Sequence, residues 1–420
     1  MASFEAKKPG GGKPSPEEIA RRRAAAAATK AAAPPKPAPA PAPARKERDP
    51  AAELAALREF ALGGGVELVD IGTNLQTRGS YADVARQLRR AAAAGVTRVV
   101  LTGCDVAGSR KGRRFAERWA LEEGGGGDGA AAPGCRVYFT AGVHPHDASK
   151  WDATTAEAIR ELARSPACVS LGECGLDYDR MFSPRDTQLR VFEEQSALAA
   201  ELGFPLFVHV RERDADKGAP LGAYADALAV LAKVDGERGL PAARVCVHCF
   251  TGDEAELAPL LARGVVVGFT GFVGIAKRAG ATIAALRALG VARQVAPLSE
   301  GGRVLIETDA PFMSPDKQFL PTATAKAIGL RGGKNEPCVM PAVARALAAA
   351  LGDGAPSPED VARATTAAAI EFFDLRAADE RIARWRAECA AAGVTAPPAE
   401  EGDEDADDAP RPGSATLADG

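Results

Sequence analysis

The chain has 420 residues, of which 46% are hydrophobic and 26% charged, so it can bury a sizeable core. Its formal net charge of −4 excludes a strongly cationic surface that would bind nucleic acid, although a local basic groove is compatible with this charge. No apolar run approaches the ~20 residues that a membrane-spanning helix needs. The eight cysteines are too dilute for a disulfide framework, which favours reduced thiols in an intracellular protein of the cytoplasm or nucleus.

Residues 1–60 lack the pattern of a folded domain. The segment Lys7–Pro50 is rich in alanine, proline and basic residues, and 36–46 has the composition of an extended, solvated linker. We therefore predict a disordered basic tail over 1–60. An organelle-targeting peptide is the alternative, but acidic residues such as Glu17 disfavour it because targeting peptides contain few of them.

Residues 391–420 are predicted to form a second disordered tail, which is acidic. Its run 400–408 is a block of like charges. A glycine-rich break at 124–134 predicts a loop inserted at the surface of the folded part. The folded domain is therefore predicted to span 61–390.

Between the tails, short apolar runs rich in β-branched residues alternate with helical patterns. Eight strands separated by helices over roughly 250 residues are typical of a closed barrel or of a doubly wound sheet. No Gly-x-Gly-x-x-Gly sequence follows the first run, which disfavours a dinucleotide-binding sheet. We therefore predict an α/β protein with a (β/α)8 TIM barrel. The predicted strands are 66–72, 97–103, 136–143, 168–173, 205–210, 244–249, 264–270 and 303–308.

Several predicted helices carry capping signals. Ser80 is predicted to cap the helix that follows it, and Thr251 with Glu254 has the spacing of a capping box. Ser183 is predicted to cap another helix, which Gly203 ends. These signals place the helices between the predicted strands.

The candidate functional residues follow the strands. In a (β/α)8 barrel, functional side chains project from the carboxyl ends of the strands. All four histidines fall at such ends, together with one glutamate and one aspartate: His144, His146, His209, His248, Glu173 and Asp309. Because alternate side chains share a face of a strand, four of these groups are predicted to converge at the barrel mouth: Glu173, His209, His248 and Asp309. Imidazole and carboxylate ligands predict a divalent metal site there. The alternative is that each polar group is satisfied singly at its strand end.

Other polar residues near the carboxyl ends of the strands are predicted to have structural or supporting roles. Cys246 and Cys249 are predicted to lie on opposite faces of a strand and to be small core residues. Glu307 is predicted to be a buried structural carboxylate, and Asp177 to support the site from behind. Basic residues in the loops after the strands suit phosphate binding. They are Arg180, Arg211, Arg213, Lys277, Arg278 and Lys334.

Five phenylalanines lie near the same motifs: Phe182, Phe250, Phe269, Phe272 and Phe312. Exposed aromatic rings can stack on nucleobases. Phenylalanines beside apolar strands more often pack in the core, so we predict that all five are core residues.

The strand-end motifs resemble the TatD family of metal-dependent deoxyribonucleases, among the amidohydrolase-like hydrolases. The resemblance extends from about Val66 to Leu375 and includes neither tail. The matching segments are 70-DIGTNL-75, 141-AGVHPHDA-148, 172-GECGLDYDRMFSPRDTQ-188, 206-LFVHVRERD-214, 247-VHCFTG-252, 268-GFTG-271, 306-IETDAPF-312 and 335-NEP-337.

This resemblance implies a TIM barrel that hydrolyses phosphodiester bonds of DNA from single-stranded 3′ ends. It implies a divalent cation, Mg²⁺ before Mn²⁺ or Zn²⁺, held by four ligands: Glu173, His209, His248 and Asp309. Asp309 is also expected to take a proton from the attacking water, and His144 or His146 to act on the phosphate or the leaving oxygen. Three further residues are expected to bind substrate: Asn74, Arg211 and Asn335.

One departure from the family pattern concerns the first strand. Many relatives begin with Asp-x-His-x-His, which supplies two further metal ligands, whereas this chain has Gly72 and Asn74 at those positions. One bound metal is therefore better supported than two. Two other functions stay open: hydrolysis of a C–N or ester bond in a small molecule, because fold does not fix substrate, and a non-catalytic scaffold.

Overall fold

The structure is a computed structural model that describes residues 49–123, 134–213, 218–330 and 334–395. The predicted basic segment, the acidic run and most of the glycine-rich break lie outside these residues. The TIM barrel, with every predicted strand, lies within them.

Eight parallel strands follow one another in chain order in a single sheet. The first and last meet at their carboxyl ends, where Asn74 N donates to Ala310 O at 2.8 Å and Asp309 N donates to Gly72 O at 3.0 Å. These bonds close the sheet into a barrel, so the predicted (β/α)8 fold is confirmed. The strands are β1 Leu68–Thr73, β2 Val96–Leu101, β3 Arg136–Ala141, β4 Cys168–Asp177, β5 Leu206–Arg211, β6 Val245–Val247, β7 Val266–Phe269 and β8 Val304–Ile306.

Helices cover the outside of the barrel, and their apolar faces pack against the outward side chains of the strands. Within the described ranges, no helix is both long enough and apolar enough to cross a membrane. The helices are α1 Pro50–Phe60, α2 Leu75–Arg78, α3 Tyr81–Ala93, α4 Val106–Glu123, α5 Ala153–Ala163, α6 Arg185–Leu202, α7 Ala223–Arg238, α8 Glu254–Arg263, α9 Gly280–Ala288, α10 Thr322–Ala327, α11 Met340–Leu351, α12 Pro358–Phe372 and α13 Leu375–Ala391.

The barrel interior holds a second, smaller apolar cluster. Inward side chains of the strands, such as Val69 and Leu305, pack there against Phe373, which follows α12. At the amino end of β3, Arg136 forms an ion pair with Asp379 of α13. Since α12 and α13 close this end, polar groups that need space and water are placed at the carboxyl end of the strands.

The helix starts agree only in part with the capping signals. Ser80 caps α3 as predicted, and its Oγ accepts a hydrogen bond from Asp83 N. The capping box of α8 is formed by Asp253 and Glu256, so its prediction at Thr251 was wrong by two residues. The loop after β6 extends farther than the hydrophobic pattern indicates.

The start of α6 also differs from the prediction. Pro184 holds the cap position without a side-chain hydrogen bond. The Ser183 hydroxyl instead donates to His146 O at 2.9 Å and accepts from Ser149 N at 3.1 Å. Ser183 therefore ties two loops of the barrel mouth together. Gly203 ends the helix in a left-handed conformation with φ of 72°, as predicted.

Helix α1 corrects the predicted extent of the N-terminal tail. Asp49 caps this helix through a bond from Ala51 N, and Leu57 is 0% exposed. Leu57 belongs to a cluster with Ile328 and Val339, so α1 packs on the folded domain. The sequence placed these residues in the tail because the first turns of α1 carry mostly alanine, and a short apolar stripe does not stand out there.

Shortening Leu57 to alanine tests whether α1 is part of the fold. The Leu57→Ala variant is expected to lower the free energy of unfolding by about 2–5 kcal/mol, because it opens a cavity in a buried cluster. Urea denaturation measures the change, with the exposed Glu59→Ala as the control that should stay near wild type. Equal stability of both variants would contradict the packing of α1.

Candidate metal centre

One carboxylate oxygen lies at the centre of the barrel mouth. Glu173 Oε1 is 2.8 Å from His248 Nε2, 3.0 Å from His209 Nδ1 and 3.5 Å from His144 Nε2. The Glu173 side chain is 7% exposed. Three imidazoles from the ends of β3, β5 and β6 thus surround a buried carboxylate from β4.

One group of ligand-type atoms includes a residue that was not predicted to bind the cation. Ligand atoms of His144, Glu173 and His209 lie within 4.8 Å of one another. The sequence had placed His144 with the substrate and not with the cation. His144 follows β3, and that strand's loop turns its ring back over Glu173.

The charges in this group stabilise one another. Burial alone would raise the pKa of Glu173, but attraction from His248 and His144 holds it well below its ordinary value. Burial opposes protonation of His248, yet Glu307 and Glu173 raise the pKa of this imidazole well above its usual value. The raised pKa values of His248 and His209 favour protonated rings that balance these carboxylates, whereas burial lowers the pKa of His144 well below its usual value. A cation can take over that role, since metal binding to such ligands releases protons.

Asp309 lies in the same pocket, at the end of β8. Asn74 Nδ2 donates to Asp309 Oδ1 at 3.1 Å, and Cys249 Sγ lies 3.5 Å from Asp309 Oδ2. Burial, with repulsion from Glu307 and Glu173, outweighs attraction from His248 and raises the pKa of Asp309 to about 7.

Two cysteines border the pocket. Cys249 is partly exposed with φ of 46°, so its interpretation as a core residue was wrong, whereas Cys246 lies in the barrel interior as predicted. Cys104 Sγ lies 3.4 Å from Glu173 Oε2, a contact that no sequence signal indicated. All eight cysteines fall within the described residues and are free thiols.

Glu307 holds His248 from behind. Its Oε2 lies 3.4 Å from His248 Nδ1, and its Oε1 accepts a hydrogen bond of 2.6 Å from Cys249 N. Glu307 is 0% exposed, as expected of a buried carboxylate. Its charge lies against an imidazole of the cluster and raises the pKa of that ring. Carboxylates in this place commonly orient the histidines of metal sites.

Gly72 explains the departure at the first strand. A Cβ atom at this position would lie 2.2 Å from Glu307 Oε2 and 2.9 Å from Phe207 Cζ. Any side chain at position 72 would therefore displace Glu307. The space that a histidine of the His-x-His pattern would use is filled by the group that supports His248.

His146 has a separate partner. Its Nε2 lies 2.7 Å from Asp177 Oδ2, and Asp177 is 0% exposed. Asp177 Oδ1 accepts hydrogen bonds from Asp179 N and Arg180 N. Burial would raise the pKa of Asp177, but the bond from His146 and attraction from His209 hold it below its ordinary value. His146 is thus fixed beside the cluster, not within it.

The residues expected to bind substrate have different surroundings. Asn74 reaches the pocket through Asp309, and Arg211 lies at the end of β5, where its guanidinium pairs with Asp179 at 2.9 Å. Asn335 is 2% exposed, and its amide nitrogen donates to Thr308 O and Phe312 O. In this position Asn335 supports the loop that carries Asp309, so we do not propose it as a substrate contact.

The predicted meeting of the four ligands assumed that side chains two residues apart lie on the same face of each strand. Strand β4 departs from this rule. Leu171 packs outside the barrel, although Glu173, two residues later, faces the mouth. The register of β4 against β5 shifts between Leu171 and Cys174, which breaks the period of two. The other three strands keep the expected alternation.

The residues present fit a divalent cation. His209 Nε2 is buried and has no hydrogen-bond partner among the described residues. Buried polar atoms are normally satisfied, so an unpaired imidazole nitrogen 3.7 Å from a carboxylate oxygen fits a ligand atom for a cation. Imidazole nitrogens with carboxylate oxygens suit Zn²⁺, Mn²⁺ or Mg²⁺.

Comparison with known proteins identifies the family. Residues 69–374 match the family model described as TatD related DNase. The chain belongs to this family. A TatD 3′-5′ ssDNA/RNA exonuclease of Pantoea vagans is 37% identical over 288 residues, covering 69% of this chain and 93% of that protein. The exonuclease of the same name from Citrobacter rodentium is 34% identical, with 73% and 98% covered.

Solved structures of TatD proteins share the fold. A TatD family hydrolase of Entamoeba histolytica superposes with a TM-score of 0.56 at 20% identity, covering 73% of this chain and 98% of that one. The TatD homologue YJJV of Escherichia coli K12 gives a TM-score of 0.50 at 23% identity, with 74% and 99% covered. The resemblance seen in the strand-end motifs is thereby confirmed.

Neutralising Glu307 tests its support of the cation site. We expect Glu307→Gln to weaken binding of Mn²⁺ or Zn²⁺ about 10- to 100-fold, because the partner of His248 loses its charge. Isothermal titration with each metal measures this change. Glu201→Gln, which alters an exposed ion pair with Arg160, serves as the control. Unchanged affinity in Glu307→Gln would show that this carboxylate does not hold the ligand.

Proposed function

We propose that this protein is a divalent-metal-dependent 3′–5′ exonuclease that hydrolyses phosphodiester bonds at single-stranded ends of DNA or RNA. The supporting observation is the buried Glu173 carboxylate ringed by imidazoles, in a chain of the TatD-related DNase family. Relatives named as 3′-5′ ssDNA/RNA exonucleases align over nine-tenths or more of their length, 93% in Pantoea vagans.

In this proposal Glu173, His209 and His248 hold the cation, with His144 beside them. When bound, a divalent cation polarises a phosphoryl oxygen and lowers the pKa of water, with Mg²⁺ as the first candidate and Mn²⁺ or Zn²⁺ as alternatives. Asp309 completes the site and accepts the proton of the attacking water. Its Oδ1 is held by the Asn74 amide, which fixes the direction of the carboxylate.

His144 and His146 take different parts in the proposed reaction. His144 lies within reach of Glu173, so it helps to organise the cation site. His146 is oriented by Asp177, whose Oδ2 lies 2.7 Å from His146 Nε2 and fixes the ring beside the cation site. His146 therefore donates to a non-bridging phosphate oxygen or to the leaving 3′-oxygen.

The rim of the mouth binds the phosphate chain in this proposal. Arg211 ends β5 and the exposed Arg180 follows the neighbouring β4, whereas Asn74 lies across the mouth on the β1 side. Cations at this edge attract phosphates without encircling a duplex. A single-stranded end suits such a limited patch.

The Asp309→Asn variant tests the hydrolytic role. With a labelled single-stranded DNA or RNA oligonucleotide and Mg²⁺, wild type is expected to release nucleotides from the 3′ end. Activity should fall about 10²- to 10⁴-fold in Asp309→Asn, because a positioned proton acceptor is lost. Gel analysis of products measures both, and EDTA should abolish cleavage. A wild type that binds metal yet cleaves no oligonucleotide would reject the nuclease function in favour of a small-molecule hydrolase or a scaffold.

Substituting each histidine of the loop after β3 in turn tests their separate roles. His144→Gln is expected to weaken metal binding, whereas His146→Gln should keep metal affinity and lower kcat about 100-fold or more. Metal titrations and steady-state kinetics on the same oligonucleotide give both values. Loss of metal binding in His146→Gln, with none in His144→Gln, would reverse the assignment.

A further inference from the structure

One aromatic residue at the mouth is exposed where the sequence predicted core packing. Large apolar side chains that are exposed in the described part of the chain are Met181 at 42%, Phe182 at 53% and Val394 at 52%. Phe250, Phe269 and Phe272 are buried, as predicted. Exposing a phenylalanine ring forgoes the free energy of burying it, so two adjacent apolar side chains in water at a catalytic mouth suggest a binding function.

Phe182 is the outer member of a line of rings that begins at the cation site. The ring centroid of His209 lies 4.5 Å from that of His144, which lies 4.2 Å from that of His146. The Phe182 ring follows, edge-on to His146 at 4.7 Å and 80°. An aromatic surface therefore leads from Glu173 to solvent in the direction of His146.

The loop that carries Phe182 is fixed by hydrogen bonds. Asp177, the partner of His146, caps its start, and the Ser183 hydroxyl ties its end to His146 O. Gln188 Nε2 donates to Ser183 O at 2.8 Å and anchors the same turn to α6. Phe182 is therefore held out by a rigid loop, which reduces the entropy lost when it binds a partner.

We propose that Phe182 stacks on the base of the 3′-terminal nucleotide and thereby positions its phosphate beside His146. This inference rests on the proposed nuclease function. Stacking on a phenylalanine is independent of base identity, because every base has a π-face. The exposed Arg180, two positions earlier, supplies a positive charge for the adjoining phosphate. Phe182 acts as a positioning residue and takes no part in proton transfer.

Kinetics with a series of side chains at position 182 test the proposal. The Phe182→Ala variant is expected to raise KM for a single-stranded oligonucleotide about tenfold or more, with a smaller change in kcat. Phe182→Leu, which keeps apolar area but has no π-face, should resemble Phe182→Ala, and Phe182→Trp should restore a KM near that of wild type. Val394→Ser, which changes an exposed apolar residue beyond the end of α13, is the matched control.

An oligonucleotide whose 3′-terminal residue lacks a base makes the test specific. For wild type, KM should be higher with this substrate than with the intact oligonucleotide. For Phe182→Ala, KM with this substrate should be no higher than that of wild type. If the ratio of the KM values for the two substrates is the same in Phe182→Ala as in wild type, the stacking role is overturned. The same result is expected if Phe182 instead docks a protein.

A binding measurement separates this inference from the nuclease function. A 3′-terminal 2-aminopurine loses fluorescence when it stacks on an aromatic ring, and EDTA prevents turnover during the titration. Quenching by wild type and Val394→Ser, but not by Phe182→Ala, supports stacking even if no cleavage is found. Absence of quenching with wild type overturns it. Absence of cleavage alone contradicts only the proposed nuclease function.

Discussion

The barrel mouth depends on a negative charge that is buried among histidines. A carboxylate as enclosed as Glu173 is unstable unless opposite charges or a cation lie against it. Its partners come from different strands, so the site exists only when those strands are in register. The apolar interior continues directly into this group, because Phe207 stacks on His248 at 4.4 Å and lies 6.3 Å from Phe373. Core packing thereby fixes the direction of an imidazole.

Much of this arrangement could be predicted from the sequence. Strands of a parallel barrel are buried on both faces and appear as apolar runs, which is why all eight were located. The rule that functional groups follow the strands then led to Glu173, His209 and His248, which the structure brings together around one oxygen atom. Those residues are found by local pattern alone, since each directly ends or follows an apolar run.

The remainder depends on contacts between distant segments, which a local pattern does not contain. Asn335 bonds to the backbone of the loop after β8, and nothing in its neighbours indicates that its amide is used there. His144 and His146 both lie in the loop after β3, and the partners that distinguish them, Glu173 and Asp177, come from β4. For Phe182, a phenylalanine after a strand is usually buried, and only the hydrogen bonds of its loop hold it in solvent. Helix α1 was missed because alanine carries little apolar signal.

The close approach at Gly72 also determines which substitutions this site tolerates. A histidine at position 72 and a glutamate at position 307 compete for one volume, so the effect of changing either residue depends on the other. A Gly72→His substitution alone would expel the carboxylate behind His248, and removal of Glu307 alone would leave that histidine without its partner. The free-energy effects of substitutions at positions 72 and 307 are therefore expected to be non-additive in this chain. Residue 72 and the carboxylate behind His248 form one coupled pair.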